Sequence, residues 1–141
     1  MATIKDEWRD AINNALADGA AALVGSVSAD GTPQISPKGS VLVQSPTQLA
    51  YWERSLRSAL ANVRANPKVV IYFRNPERAA ELPQGAALRF YGTARIVESG
   101  PEREAVMGKV VKRELDADPG RKGVAVIVDV NRITNLRGED L

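Results

Sequence analysis

Ala22-Leu23-Val24-Gly25-Ser26-Val27-Ser28, Asp30-Gly31, and then Thr32 to Val43 (Thr-Pro-Gln-Ile-Ser-Pro-Lys-Gly-Ser-Val-Leu-Val) form the stretch that decides the fold. The first run is short, apolar and rich in Val, which suits a strand. Asp-Gly between two strand-like runs is a hairpin signal, because Gly takes the positive φ that tight hairpin turns need. The second run carries Pro33 and Pro37, so it cannot be a fully paired central strand at those points. A bulge or opened ladder is expected near Ser36-Pro37-Lys38-Gly39, leaving backbone N–H groups for another partner.

The rest of the chain follows the same logic. Upstream, Trp8, Ile12 and Leu16 recur every four residues, which predicts a helix with Thr3 and Asp6 at its start and Gly19 as its stop. Downstream, Ser45-Pro46-Thr47 is a turn and Leu49–Arg54 a strand. Leu56, Leu60 and Val63 predict a short helix over Leu56–Ala65, ended by Asn66-Pro67. Val69–Phe73 is a continuous apolar run and reads as a strand buried on both faces. Arg74–Gly85 reads as a loop.

Ala87–Val97 alternates cleanly, with Leu88, Phe90, Ala94 and Ile96 on one face and Arg89, Tyr91, Thr93 and Arg95 on the other. Ser99 and Glu102 suggest a capping box opening a helix that runs to about Leu115. Asp118-Pro119-Gly120 breaks it, and Val124–Val130 is the last strand before a polar tail, Asn131–Leu141. The strands are joined mostly by turns and short loops. The expected fold is therefore mainly β, a single α+β domain over residues 1–141, with an antiparallel barrel and peripheral helices.

Composition narrows the chemistry. At 141 residues with 44% hydrophobic and 26% charged, the chain can bury a core without metal or disulfide staples. A net charge of +2, with basic and acidic residues interleaved, offers no nucleic-acid surface. There is no Cys and no His. Thiol catalysis, a Ser-His-Asp triad, the common zinc sites and a His-ligated haem are excluded, and no metal site is expected. No apolar run is long enough to cross a membrane as a helix, and Met1–Asp10 does not read as a signal peptide, so a cytoplasmic location is expected.

Two segments could hold a ligand. Gln34-Ile35-Ser36-Pro37-Lys38-Gly39-Ser40 combines hydroxyls, a cation and an interrupted strand, with Ser36, Pro37, Lys38, Gly39 and Ser40 as the candidate binding residues. The local pattern by itself favours a β-bulge with a solvated Lys. Trp52-Glu53-Arg54-Ser55-Leu56-Arg57-Ser58 is a strand end running into a helix start, a position that suits anions, with Ser55 and Ser58 as donors and Arg54 or Arg57 to pair with phosphate oxygens. An ordinary N-cap at Ser55 with surface arginines would give the same pattern.

Together the two segments resemble the FMN-binding split barrel of the pyridoxamine 5′-phosphate oxidase-like superfamily. The carrying residues run in order from Val24-Gly25-Ser26-Val27 and Asp30-Gly31-Thr32-Pro33 through Ser36–Ser40 and Leu49–Trp52. They continue with Leu60-Ala61-Asn62-Val63, Asn66-Pro67-Lys68-Val69 and Phe90–Ala94. The resemblance implies a homodimer with FMN at its interface. Ser36–Ser40 would run beside the ring and ribityl chain, with Trp52 and Glu53 nearby. Arg57 and Ser58 would hold the phosphate, and Arg89 would reach in from the partner chain.

The family often has a basic residue followed by Lys or Thr where this chain has Ser58-Ala59, so Arg57 would substitute. The family's full pyridoxamine phosphate oxidases carry a C-terminal Trp and a substrate-phosphate Arg. Asn131–Leu141 holds no matching Trp, so that activity is not expected. The implied function is an FMN-dependent oxidoreductase of unknown substrate. Two alternatives stay open: the deazaflavin F420 on the same fold, and a cofactor-free dimeric module that binds a ligand or partner.

Overall fold

The computed structural model describes all 141 residues. Its centre is one seven-stranded, wholly antiparallel sheet in the order β2-β1-β5-β6-β7-β4-β3. The strands are β1 (Ala22–Val27), β2 (Pro33–Lys38), β3 (Leu42–Ser45), β4 (Gln48–Glu53), β5 (Lys68–Arg74), β6 (Ala87–Val97) and β7 (Val124–Thr134). Four α-helices accompany them, α1 (Arg9–Asn13), α2 (Ser58–Ala65), α3 (Pro101–Met107) and α4 (Lys112–Asp116), and the expected loop Arg74–Gly85 contains two 3₁₀ segments, Pro76–Glu81 and Pro83–Gly85.

The hairpin at Asp30-Gly31 forms as expected. Gly31 sits at φ +89°, and the Asp30 carboxylate accepts hydrogen bonds from the Ser28 hydroxyl and the Thr32 N–H. The expected opening of the ladder near Ser36–Gly39 is displaced. Pairing of β1 with β2 is unbroken from Val27 opposite Pro33 to Ala22 opposite Lys38. Pro33 and Pro37 are four residues apart, so both fall on the alternate positions that an antiparallel ladder can skip. Strand β2 is also an edge strand, where Pro is tolerated and guards against stray pairing.

The chain opens one step later, at Gly39–Val41. Thr32–Val43 is therefore not one strand. Its first half is one edge of the sheet and its second half, β3, is the other. The sheet curls so that Lys38 at the end of β2 meets Glu53 at the end of β4. The opposite edge is also protected, since the Val43 N–H donates to Asn13 Oδ1 of α1 at 2.8 Å.

Two apolar layers result. Inside the curled sheet lie Trp8, Ile12, Val24, Tyr51, Ile71, Phe73, Leu88, Phe90, Val126 and Val128. Trp8 packs edge-on against Phe90 at 6.4 Å between ring centres. Outside β4 and β7, Ala50, Trp52, Ala125 and Ile127 are covered by Val106 and Val110 from α3 and the segment after it.

Several local expectations change. No side chain caps the start of the first helix, which is a 3₁₀ turn at Asp6–Trp8 leading into α1. Ser99 and Glu102 form no capping box. Gly100 is the N-cap of α3, and Glu102 is taken by Arg95 of β6 at 2.5 and 2.9 Å. The helix expected up to Leu115 breaks after Met107, because Val111 is extended (ψ 142°). Val106 and Val110, four residues apart and joined by a helical backbone hydrogen bond, both face the sheet ahead of that break.

Strand β5 is buried on one face only. Val69, Ile71 and Phe73 point inward, while Val70 and Tyr72 remain half-exposed outside. Strand β7 runs four residues past Val130, with its register against β6 shifted between Tyr91 and Gly92.

Gly92 is required by that shift. A Cβ there would lie 2.5 Å from the Asp129 carbonyl oxygen and 2.6 Å from Val128 Cγ1. Backbone cannot move aside cheaply, so Gly92→Ala should lose about 2–3 kcal/mol of unfolding free energy in urea titrations. A loss within experimental error would show that the shift yields freely.

Candidate functional site

Successive residues of a strand face opposite sides. In β2 this puts Gln34, Ser36 and Lys38 on the inner face and Pro33, Ile35 and Pro37 on the outer face. The inner row looks across a gap toward the end of β4, the connection Arg54–Arg57 and the start of α2. At one end, Pro37, Lys38, Gly39 and Ser40 face Trp52, Glu53, Arg54, Ser55 and Glu114 around a cleft of about 230 Å³. At the other end, Gln34 reaches Ser58 and Asn62 of α2. The two segments singled out in the sequence are thus brought together along one strip.

Each residue's commitments decide what it can offer. Lys38 Nζ donates to Glu53 Oε2 at 2.7 Å, with their side chains 13% and 2% exposed. Such a pair is held by its geometry, and breaking one half strands a buried charge. The Ser40 hydroxyl donates to the Trp52 carbonyl and accepts from the Trp52 N–H, at 3.1 and 2.9 Å, tying the Gly39–Val41 turn to β4. At Gly39 a Cβ would meet the ends of two side chains, Glu114 Oε1 at 2.5 Å and Leu16 Cδ1 at 2.9 Å, which would have to turn aside. Its close approach is to its own chain. Arg54 Nε pairs with Glu114 at 3.2 Å.

Arg57 makes no ion pair and is exposed, directly before α2. No side chain caps that helix, so its first-turn N–H groups lack intrahelical partners. The Ser36 and Ser58 hydroxyl oxygens each accept from Gln34 Nε2 at 3.2 Å. The strip is therefore internally neutralised at the Lys38 end and cationic at the Arg57 end.

Trp52 points away from the strip. Its ring lies in the outer layer, with the Arg103 guanidinium 4.7 Å from the ring centre. Its indole N–H donates to Asp118 Oδ2 at 2.9 Å. Burial pushes the Asp118 carboxyl up. Hydrogen bonds from Trp52, Gly123 and Lys122, with the Arg121 charge, outweigh that and hold it below the usual carboxylate range. Tyr51, on the inner face, is pushed far above the ordinary phenol range by burial and by the Glu53 charge.

Arg89 is not on the strip. It lies on the outer face of β6 and donates to the Asn135 and Leu136 carbonyls at 3.3 and 3.1 Å. Beside it, Leu23, Gly25, Ile35, Val70 and Tyr72 form an apolar outer surface, and Ile35 is 71% exposed. A groove of about 320 Å³ continues over Val27, Pro33 and Tyr91. No three acidic side chains converge as a metal set would.

The first candidate segment begins at Gln34, whereas Asn62 is not among the site residues expected from the sequence. A signal existed for each. Gln34 begins a polar row at i, i+2 and i+4 in β2, and Asn62 interrupts the apolar stripe of α2 between Leu60 and Val63.

The family model described as pyridoxamine 5′-phosphate oxidase matches residues 5–134. No curated protein matches the chain. Among solved structures, HupZ of Group A Streptococcus is 30% identical over 98% of this chain and 98% of its own, with a TM-score of 0.76. An FMN-binding protein from Syntrophomonas wolfei shares the fold at 11% identity, over 92% of this chain and 84% of its own, with a TM-score of 0.71. An F420 reductase shares it at 17% identity, over 93% and 98%, with a TM-score of 0.65. A heme binding protein from Mycobacterium smegmatis does so at 14% identity, over 94% and 54%, with a TM-score of 0.66. Proteins of this fold thus include binders of different cofactors.

Two measurements check this geometry. Lys38→Met strands the Glu53 carboxylate and should cost about 3–5 kcal/mol in chemical denaturation, while Lys38→Met with Glu53→Gln should recover much of it. Equal losses in the single and double variants would refute the pairing. Because folding lowers the Asp118 pKa, its contribution is fully present above the unfolded value of about 4 and is lost as pH falls below it. Asp118→Asn should therefore be less stable than the parent at pH 7, with the gap narrowing below about pH 4.

Proposed function

The chain belongs to the pyridoxamine 5′-phosphate oxidase family, and on that premise we propose that it is an FMN-binding oxidoreductase whose cofactor lies between two copies of the chain. The observation that carries this reading is the charge layout of the strip. Lys38 and Arg54 are already paired. Arg57 is left with the hydroxyls of Ser36 and Ser58 and the start of α2, a set that suits one phosphate.

The fit extends to the rest of the cofactor. A cleft of about 230 Å³ is smaller than the roughly 300–1,000 Å³ of ordinary cofactor sites. One chain supplies only part of the walls. Strand β2 has the polar strip on one side and the apolar face with Ile35 on the other. A second copy docked on that face would cover Val70 and Tyr72, which a single chain leaves half-exposed. It would also bring the partner subunit's Arg89 toward the β2 edge. Pro37, Lys38, Gly39 and Glu53 would then border the ring and ribityl chain, with Ser40 and Trp52 holding the turn in place. A bound flavin supplies the redox chemistry, while the protein binds, orients and shields it. This suits a chain with neither His nor Cys.

F420 is the second reading, supported by the likeness in fold to an F420 reductase. Its polyglutamate tail calls for several uncommitted cations in a row. The ion pairs of Lys38 and Arg54 favour the single phosphate of FMN instead.

Fluorescence titration should show FMN binding more tightly than riboflavin. Arg57→Ala should weaken FMN about tenfold to a hundredfold and leave riboflavin nearly unchanged. Equal losses for both would remove Arg57 from the phosphate site, and a released ligand with the mass of F420 would overturn the FMN reading. Ile35→Glu should convert the dimer to monomer by light scattering and abolish flavin binding with it.

A further inference from the structure

Asn62 is a polar residue buried on the inner side of α2, 6% exposed. A buried amide is costly unless hydrogen-bonded. Its Nδ2 donates to Ser26 Oγ of β1 and to Gln34 Oε1 of β2, each at 3.1 Å. The Gln34 carbonyl is thereby held toward Asn62, so its NH₂ must face the other way. There it donates to both Ser36 Oγ and Ser58 Oγ at 3.2 Å.

A hydroxyl oxygen has one hydrogen to give and two lone pairs to accept with. Gln34 occupies a lone pair on each serine. Neither hydroxyl donates to any group in the chain. Both hydrogens are therefore directed away from Gln34. The two oxygens share one nitrogen as a neighbour, so a single oxyanion can bridge them, and the unpaired Arg57 directly precedes Ser58 in the chain.

We propose that Asn62 and Gln34 are positioning residues: a two-amide relay that presets the Ser36 and Ser58 hydroxyls as donors to an oxyanion. The relay rests on the phosphate reading of the strip and adds its orienting device. Without Asn62, the Gln34 amide can turn over and present its carbonyl to the serines. Both hydroxyls would then donate inward, and the oxyanion would lose both hydrogen bonds. A merely structural clamp would lower stability without this selectivity.

The test uses the full chain and inorganic phosphate, followed by the backbone amide NMR shifts of Ser58 and Ala59. Phosphate should move both signals, and Asn62→Leu and Gln34→Leu should each weaken its binding about tenfold. Ser58→Ala should cost a similar factor alone and almost nothing on top of Asn62→Leu. Signals unmoved by phosphate, or the same phosphate affinity in Asn62→Leu, would overturn the relay. Should Asn62→Leu not fold, the same coupling read between Gln34→Leu and Ser58→Ala decides, and additive losses would overturn it.

A parallel FMN and riboflavin titration keeps the two readings apart. An Asn62-dependent phosphate response with no preference for FMN over riboflavin would sustain the relay and sink the flavin site. A preference for FMN that Asn62→Leu leaves intact would do the reverse.

Discussion

The fold depends on one closure. At Gly39–Val41 the chain leaves one edge of the sheet and becomes the other, so a local turn has to hold together the two ends of a seven-stranded sheet. Ser40 does this with both capacities of its hydroxyl, giving to and taking from the backbone of Trp52. The Lys38–Glu53 pair spans the same gap one step away. Gly39 lets the turn press against Leu16 and Glu114. Open sheets leave unpaired edges that must be managed. Here one edge carries two prolines, and the other is satisfied by Asn13.

The closure and the candidate site are the same place, and this shapes its chemistry. Cations that look available in the sequence are already used in building the fold. Lys38 serves Glu53, Arg54 serves Glu114, and Arg103 stacks on Trp52. What is left over for a ligand is concentrated at the start of α2, where Arg57 and two serine hydroxyls are uncommitted as donors. On the proposed reading, such a site suits one compact anion better than an extended one. A fold alone would not settle that, since proteins of this fold bind different cofactors and function resides in the site.

Strand β2 links the site to the outer surface. Its alternation sends Gln34, Ser36 and Lys38 to the strip and Pro33, Ile35 and Pro37 outward. An event on the outer face, such as covering Ile35, is only a backbone's thickness from the hydroxyls on the inner face. Val70 and Tyr72 continue the same apolar surface across β5.

The sequence by itself determined the class of the molecule. The Asp30-Gly31 hairpin, the alternation in Ala87–Val97 and the breaks at Asn66-Pro67 and Asp118-Pro119-Gly120 are local signals, set by φ preferences and by the two-residue period of a strand. The absence of His and Cys confined the chemistry. The order of the quoted segments pointed to the family. Pairing partners were decided only in the tertiary structure, because they depend on residues far apart in the chain. Nothing local says that Thr32–Val43 divides between opposite edges of the sheet. Glu102 sits at a capping position, yet Arg95 offers it a stronger partner. An apolar run such as Val69–Phe73 does not show whether both faces are covered. The Asp30-Gly31 hairpin was legible because its turn is local. The closure at Gly39–Val41 was not, because Ser40 finds Trp52 only once the sheet has curled.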